Sequence, residues 1–342
     1  MTTAKLPAPN APEGLYLLDL SLLAQKADHA APPEHLPSGE PCHITRAVWR
    51  RVVSILAERR PRYLCAALDA PGPGWRARRV PSYRAHRDPP SPGYEVQLDR
   101  LRQICALHEI PCLSSEVDEA ADHLAPIALR ALNTDALRPV IVSAHKGLYT
   151  LLDYGEGALL WDGHEDDPDR GPAWVLDDLA VRDNVRKFGG VPAGLVPDLL
   201  ALAGSKSLGL PGLPDIGPKR AAKILLTAGA LAGRPSGWPE SIEDALRHPY
   251  AFPAPLSTQL GVGLGADALR AARAVVSVAL APESEVPSLS KLVTGWSDVA
   301  PIKAVLAELG MMISAEGVRA YPKRPPPMDV VARWTGATEG AR

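Results

Sequence analysis

The first 150 residues contain three short apolar runs, and each run leads into a polar side chain. The runs cover residues 15–18, 63–68 and 140–142, and they lead into Asp19, Asp69 and His145. Unbroken apolar runs of this length are typical of strands that are buried on both faces. Stretches with helical spacing lie between them, at residues 44–57, 97–108 and 120–132, and a shorter strand is expected near residues 110–113. This alternation predicts an α/β fold with a mostly parallel sheet flanked by helices.

The polar residues after the strands are candidates for a functional site. In an open parallel sheet, binding sites form at the carboxyl ends of the strands. Asp19, Asp69 and His145 are therefore expected to line one pocket. Acids also end strands simply as turn residues, and the pattern alone leaves that alternative open.

The chain changes character after about residue 189. Residues 196–203, 218–226 and 266–281 have helical spacing, with glycine and proline between them. We therefore predict an α/β domain over residues 15–188 and a helical subdomain over residues 189–314. Residues 1–14 are predicted to be a flexible lead-in. The proline-rich residues 315–342 are predicted to be a flexible tail or a segment that docks with a protein partner.

Composition excludes several classes of protein. No run of about 18 apolar residues is present, which argues against a membrane span. The N-terminus lacks the apolar stretch of a secretion signal, so a cytoplasmic location is expected. The four cysteines have no C-x-x-C spacing, and reduced core thiols are the preferred interpretation. A zinc site that includes His145 is disfavoured, because no second histidine or cysteine stands at ligand spacing.

Positive charge is concentrated in one segment, although the formal net charge of the chain is −2. Residues 46–87 contain eleven arginines against two acids. A cluster of this kind can bind the phosphates of nucleic acid. The alternative for residues 46–62 is a solvated helix face.

Residues 75–87 carry the most specific motif, W-R-A-R-R-V-P-S-Y-R-A-H-R. It resembles the F-R-x-x-x-x-P-x-Y-K-x-x-R segment of the 5′-3′ exonuclease and flap endonuclease family, which includes the N-terminal nuclease domain of bacterial DNA polymerase I. The resemblance implies a PIN-like nuclease core with a helical arch over about residues 75–108. It also implies that Arg76, Tyr83, Arg84 and Arg87 bind DNA near the scissile phosphate.

Residues 210–223 resemble a second motif of the same family. The sequence L-P-G-L-P-D-I-G-P-K-R-A-A-K is similar to I-P-G-V-x-G-I-G-P-K-T-A-A-K. The resemblance implies a helix-hairpin-helix in which Gly217, Lys219 and Lys223 contact duplex DNA beside a potassium ion. Asp215 stands where the family has glycine. The alternative is a helix-hairpin-helix that only packs against the rest of the protein.

The family resemblance also implies a metal site that is incomplete here. Members use about nine carboxylates to hold two divalent ions for phosphodiester hydrolysis. Four are retained, namely Asp19, Asp69, Glu119 and Asp122. Five are replaced, by Ala121, His145, Gly147, Ser205 and Leu208. A register that begins the acidic motif at Glu116 instead of Glu119 would retain more acids, but it matches the following helix less well.

The replaced positions decide the expected chemistry. Residues 145, 147, 205 and 208 correspond to those that jointly hold the second metal, so at most one Mg²⁺ or Mn²⁺ is expected. We therefore predict a DNA-binding relative of these nucleases that is catalytically impaired or inactive and takes part in DNA replication or repair. Its expected ligand is branched, flap or 5′-ended duplex DNA. Two alternatives remain: a one-metal 5′-3′ exonuclease or flap endonuclease with reduced activity, and an interaction protein on a nuclease scaffold. Whether the chain is an enzyme stays open.

Overall fold

A six-stranded sheet forms the centre of the protein. The computed structural model describes residues 5–153, 158–161, 175–235, 239–261, 264–278, 286–296, 298–311 and 323–335. The strands are β1 (Gly14–Asp19), β2 (Tyr63–Ala67), β3 (Cys112–Leu113), β4 (Arg138–Val142), β5 (Leu159–Trp161) and β6 (Val175–Leu176). Their order is β3-β2-β1-β4-β5-β6, and only the β5–β6 pair is antiparallel. The prediction of a mostly parallel sheet is confirmed.

Helices cover both faces of the sheet. Those before residue 190 are α1 (Leu20–Ala30), α2 (His43–Arg59), α3 (Trp75–Arg79), α4 (Tyr94–Leu107), α5 (Ala120–Asn133), α6 (Asp178–Asp183) and α7 (Val185–Phe188). Those after it are α8 (Val196–Ala203), α9 (Pro218–Leu231), α10 (Ile242–Arg247), α11 (Leu256–Gly261), α12 (Leu264–Val276), α13 (Leu289–Leu292), α14 (Ala300–Glu308) and α15 (Met328–Trp334). Across the described ranges, no helix combines the length and apolar character that crossing a bilayer requires.

The central strand β1 is apolar on both faces because each face is covered by helices. Leu15 and Leu17 belong to an apolar cluster with α5, α8, α9 and α12. Tyr16 and Leu18 belong to a second cluster with α1, α2 and α4. Side chains alternate between the faces of a strand, so one continuous apolar run serves both clusters. The first cluster joins the sheet to the later helices, and the predicted domain boundary after residue 188 stays a prediction.

The segment predicted as a helical arch packs differently in the structure. Only α3, which is five residues long, precedes the tight turns at residues 81–87. Helix α4 then lies against α2, where the side chain of Gln97 accepts hydrogen bonds from the backbone N–H groups of Ile44 and Thr45. Its apolar residues are buried in the second cluster. Helix α4 thus uses its apolar face to complete the core, and an arch over residues 75–108 stays a prediction.

Both termini are more ordered than the sequence predicts within the described residues. Near the N-terminus, the backbone N–H of Asn10 donates to the carbonyl of Arg59 at 2.8 Å. In the predicted tail, α15 buries Val330 and Trp334 in the first cluster. The Arg62 guanidinium also donates to the carbonyl of Pro325 at 2.9 Å. In residues 323–335 these apolar side chains dock on the protein itself, and the tail over residues 315–342 stays a prediction.

Strands β5 and β6 were not predicted from the sequence. They contain three and two residues, and residues 162–174 between them lie outside the described ranges. Runs this short give no periodic signal. They pair because β4 already presents an edge with free backbone donors and acceptors.

His108 is buried between two tryptophan rings, and this packing has a consequence for acid stability. The ring centroids of Trp49 and Trp296 lie 4.6 and 4.9 Å from that of the histidine. Burial lowers the pKa of His108 from its usual 6.5 to about 4. The neutral form is therefore favoured in the folded protein, and stability falls as the pH decreases from 6.5 towards 4. We expect this histidine alone to account for a loss of about 3 kcal/mol over that window.

His108→Phe should remove that part of the pH dependence, because phenylalanine cannot bind a proton. Urea denaturation at pH 4.5 and pH 7.5 measures the difference in unfolding free energy. The same substitution at His29, which is exposed, is the control and should leave the difference unchanged. An equal pH dependence in wild type and His108→Phe contradicts the prediction.

Candidate functional site

The polar residues that follow β1, β2 and β4 line one cavity, as the sequence predicts. The cavity has a volume of about 200 Å³. Its wall includes Asp19, Asp69 and His145, together with Arg84 and Lys146. These side chains meet because the parallel strands β2, β1 and β4 end at the same edge of the sheet.

Asp19 and Asp69 are held by hydrogen bonds at the base of the cavity. Asp19 caps α1, and its carboxylate accepts from the backbone N–H of Leu22 at 2.9 Å and from the Ser143 hydroxyl at 2.7 Å. The Asp69 carboxylate accepts from the backbone N–H of Ala120 at 2.8 Å. Burial raises the pKa of Asp69 to about 7, and the nearby Asp19 carboxylate adds to this shift. Negative charge is therefore crowded at this point.

Glu119 lies beside them and is surrounded by donors. The hydroxyl of Tyr83 and the ring Nε2 of His145 lie 3.2 and 3.1 Å from its Oε2 atom. The guanidinium groups of Arg84 and Arg76 lie 3.3 and 3.5 Å from its carboxylate oxygens. Burial raises the pKa of Glu119, but the His145 hydrogen bond and the Arg84 charge outweigh it and hold the pKa well below its usual range. Protein donors therefore occupy the positions around the Glu119 carboxylate that a metal ion would need.

The tautomer of His145 follows from its second contact. The backbone N–H of Gly147 donates to His145 Nδ1 at 3.2 Å. A neutral ring then carries its proton on Nε2, which donates to Glu119. His145 is an internal hydrogen-bond donor in this structure.

Arg76 and Asp122 form a buried ion pair. The guanidinium donates to both carboxylate oxygens, at 2.5 and 2.7 Å, and the two side chains are 1% and 2% exposed. Arg76 also donates to the carbonyls of Val275 and Ser277 at the end of α12. The sequence predicts a DNA contact for Arg76 and a metal contact for Asp122. The structure places both inside the protein, where they neutralise each other.

Arg84 turns back into the cavity instead of projecting outwards. Its backbone has a φ of 54°, and its N–H donates to the carbonyl of Leu208 at 2.9 Å. The guanidinium lies over the ring of Tyr83, 5.0 Å from the centroid, and 3.9 Å from Asp69. Arg87, in contrast, reaches the cavity from an exposed position, where it donates to the Gln25 side chain at 3.0 Å.

The residues that replace the expected ligands of the second metal, and their neighbours, make other contacts. The Lys146 ammonium donates to the hydroxyls of Ser205 and Ser207, at 2.9 Å each. Leu208 is buried in the core. A Cβ atom added at Gly147 would lie 2.3 Å from the carbonyl oxygen of Val276. Lys146 and Ser207 were not among the predicted site residues, and their only signal in the sequence was their position beside the replaced ligands.

The donors in the cavity do not fit a pair of divalent ions. Within the ranges that the structure describes, no three side chains of His, Cys, Asp or Glu are grouped so that they could hold a metal. Ala121 lines the cavity where the family carries an acid. Glu119 contacts His145 in the cavity wall, whereas Glu116 is exposed, which agrees with the register that begins at Glu119.

The second predicted DNA contact lies on α9. In the segment between α8 and α9, the backbones of Ser205 and Leu210 are hydrogen-bonded to each other, and Asp215 adopts a φ of 60°. Helix α9 begins at Pro218, and Lys219 and Lys223 are exposed one turn apart. Residue 215 is thus left-handed without being glycine, and the helix-hairpin-helix stays a prediction. The potassium site and the DNA contact stay predictions.

Comparison of the sequence with known proteins gives consistent matches. Residues 14–176 match the family model described as the 5′-3′ exonuclease N-terminal resolvase-like domain. A 5′-3′ exonuclease of Streptomyces coelicolor is 32% identical over 233 residues, which cover 64% of this chain and 73% of that protein. DNA polymerase I of Mycobacterium tuberculosis is 29% identical over 234 residues, which cover 68% of this chain and only 25% of the polymerase.

Solved structures show the same fold at low sequence identity. T5 5′-exonuclease with bound zinc ions superposes with a TM-score of 0.52 and 16% identity, covering 77% of this chain and 89% of that chain. The catalytic core of Rad2 in complex with a DNA substrate superposes with a TM-score of 0.52 and 12% identity, covering 88% of this chain and 91% of that chain.

Proposed function

Because this chain belongs to the 5′-3′ exonuclease family while its own arginines pair with Glu119 and Asp122, we propose that it binds branched or 5′-ended DNA and does not cleave it. Its biological role would lie in DNA replication or repair. Binding, in this proposal, depends on protein cations and not on a divalent ion.

The proposal rests mainly on the contacts that the four retained acids make with other groups of the protein. Asp122 is paired with Arg76, and the Glu119 carboxylate is surrounded by four donor groups of the protein. Mg²⁺ prefers several hard oxygen ligands at short distances. A metal ion at Glu119 would have to displace the Arg84 guanidinium from its ion pair and His145 from its hydrogen bond. The two remaining acids, Asp19 and Asp69, are too few to replace a two-metal centre.

The basic surface supports DNA as the ligand. Lys219 and Lys223 project from the first turns of α9, where the N-terminal end of the helix also favours anions. Arg87 and Lys146 reach the cavity on the sheet side. A ligand that carries phosphates along its length could bind both pairs of cations, and such binding weakens as the salt concentration rises.

Incubation of the purified protein with a labelled 5′-flap DNA tests both halves of the proposal. We expect a complex of similar affinity in EDTA and in Mn²⁺, and no cleavage product in Mn²⁺ at high protein concentration. Lys219→Gln combined with Lys223→Gln should weaken binding and reduce the slope of log affinity against log salt by about two. Lys303→Gln, at an exposed lysine of α14, should change neither quantity.

The crowding of Asp19 and Asp69 favours a second candidate, a one-metal nuclease of reduced activity. Burial, and after it repulsion from Asp19 and Glu119, raises the pKa of Asp69, and a divalent ion would relieve that repulsion. Reproducible Mn²⁺-dependent cleavage that Asp69→Ala abolishes would reject the non-catalytic proposal in favour of this one. Absence of any DNA complex would leave an interaction protein on a nuclease scaffold.

A further inference from the structure

Lys146 is distinguished from the other cations of the cavity by its partners. Arg76 and Arg84 contact carboxylates. Among the described residues, the Lys146 ammonium has only the neutral hydroxyls of Ser205 and Ser207 as hydrogen-bond partners. Its positive charge is therefore held in place without being neutralised.

A second cation faces the same space. Arg87 lines the cavity, and its hydrogen bond goes to the neutral side chain of Gln25. Burial lowers the pKa of Lys146, and the charges of Lys187 and Arg87 lower it further. Burial and the charge of Arg84 likewise lower the pKa of Arg87. Glu119 and Asp69 act on Arg87 in the opposite sense. Lys146 and Arg87 repel each other, and an anion placed between them would reduce that repulsion.

The shape of the cavity favours the end of a strand over a continuous strand. On one side, the backbone N–H of Arg84 donates to the carbonyl of Leu208. Beside that bond, Gly209 packs so tightly that a Cβ atom there would lie 2.0 Å from the carbonyl oxygen of Ser82. We expect these backbone contacts to prevent a strand from continuing past residues 82–84 and 208–209. A terminal phosphate can enter from the open side, which Arg87 and Ser207 border.

We propose that Lys146, positioned by Ser205 and Ser207, acts with Arg87 as a metal-independent site for the terminal phosphomonoester of a DNA strand. A phosphomonoester carries between one and two negative charges near neutral pH, which matches two cations that lack anionic partners. A phosphodiester inside a strand carries one charge, and its strand would have to continue past the backbone contacts between residues 82–84 and 208–209. The inference rests on the proposed binding of DNA, and it adds which part of the DNA enters the cavity.

Fluorescence anisotropy with a duplex that carries a 5′ single-stranded overhang tests this site. Three forms of the same DNA are compared in EDTA: one with a 5′-phosphate, one with a 3′-phosphate and one with hydroxyl ends. We expect a phosphorylated end to bind about tenfold more tightly than hydroxyl ends, as for a hydrogen-bonded charge pair. A preference for either phosphorylated end supports the site and identifies which end it accepts.

The variants separate this site from general DNA affinity. Lys146→Gln and Arg87→Gln should each reduce the preference for phosphate to near unity, while Lys146→Arg should retain most of it. Arg87 is exposed, so its variant gives the answer even if Lys146→Gln does not fold. Lys303→Gln should behave as wild type.

Each contrary outcome has a distinct meaning. Equal binding of all three DNAs overturns the phosphate site and leaves the proposed function intact. A preference that survives both glutamine variants, or that requires Mg²⁺, also overturns it. No binding of any DNA overturns the proposed function and this site together.

Discussion

Replacing Arg76 with alanine should lower the free energy of unfolding by about 3–5 kcal/mol, because it leaves the buried Asp122 carboxylate without its cation. The same change removes the donors to the carbonyls of Val275 and Ser277, which tie α12 to the sheet domain. Folded domains are stable by only about 5–15 kcal/mol, so this loss is a large fraction of the total. Urea denaturation followed by tryptophan fluorescence measures it.

Two comparisons make the Arg76 prediction specific. Arg78→Ala, at an exposed position in the same helix, should change stability by less than about 0.5 kcal/mol. Arg76→Met combined with Asp122→Leu should recover part of the loss, since no buried charge is then left unpaired. If Arg76→Ala leaves stability unchanged and instead reduces the salt dependence of DNA binding, the phosphate contact predicted from the sequence is right and the structural role is wrong.

Gly147→Ala should destabilise the protein by about 3 kcal/mol, at the upper end of what overpacking usually costs. The added methyl group would lie 2.3 Å from the carbonyl oxygen of Val276 and 3.0 Å from the side chain of Val278. The first of these atoms belongs to the backbone at the end of α12 and cannot rotate away. Thermal melting and urea denaturation both measure the effect.

Gly72→Ala is the matched control for this prediction. A Cβ atom at Gly72 meets nothing within 4 Å, so the same change of one methyl group should have little effect there. If Gly147→Ala is as stable as Gly72→Ala, then α12 moves readily and the packing at Gly147 is loose.

The close packing at Gly147 also bears on whether the second metal site could be restored by substitution. Aspartate at residue 147 needs the same Cβ atom, and aspartate at residue 208 would place a carboxylate where Leu208 is buried. Restoring acids at residues 145, 147, 205 and 208 should therefore unfold the protein before it restores cleavage. Mn²⁺-dependent cleavage by a folded variant with all four changes would contradict this expectation.

Most of the sheet could be predicted because its strands carry a strong local signal. Strands β1, β2 and β4 are unbroken apolar runs, and the polar residues after them meet at one cavity as expected. Strands β5 and β6 are too short to have a pattern of their own. The helix at residues 328–334 follows a proline-rich stretch that suggested disorder, and it is ordered because Trp334 and Val330 find an apolar surface on the protein.

The sequence by itself determined which chemical groups reach the cavity, because strand ends and local motifs place Asp19, Asp69, Glu119, Arg84 and His145 there. Only the tertiary structure decided how these groups are paired. The contacts of Arg76 with Asp122, of Arg84 with Glu119 and of Lys146 with Ser205 join residues about 35–60 positions apart in the chain. The sequence does not distinguish an arginine that faces DNA from one that pairs with a buried acid. Its role follows from desolvation and the nearest opposite charge, and both depend on distances that only folding creates.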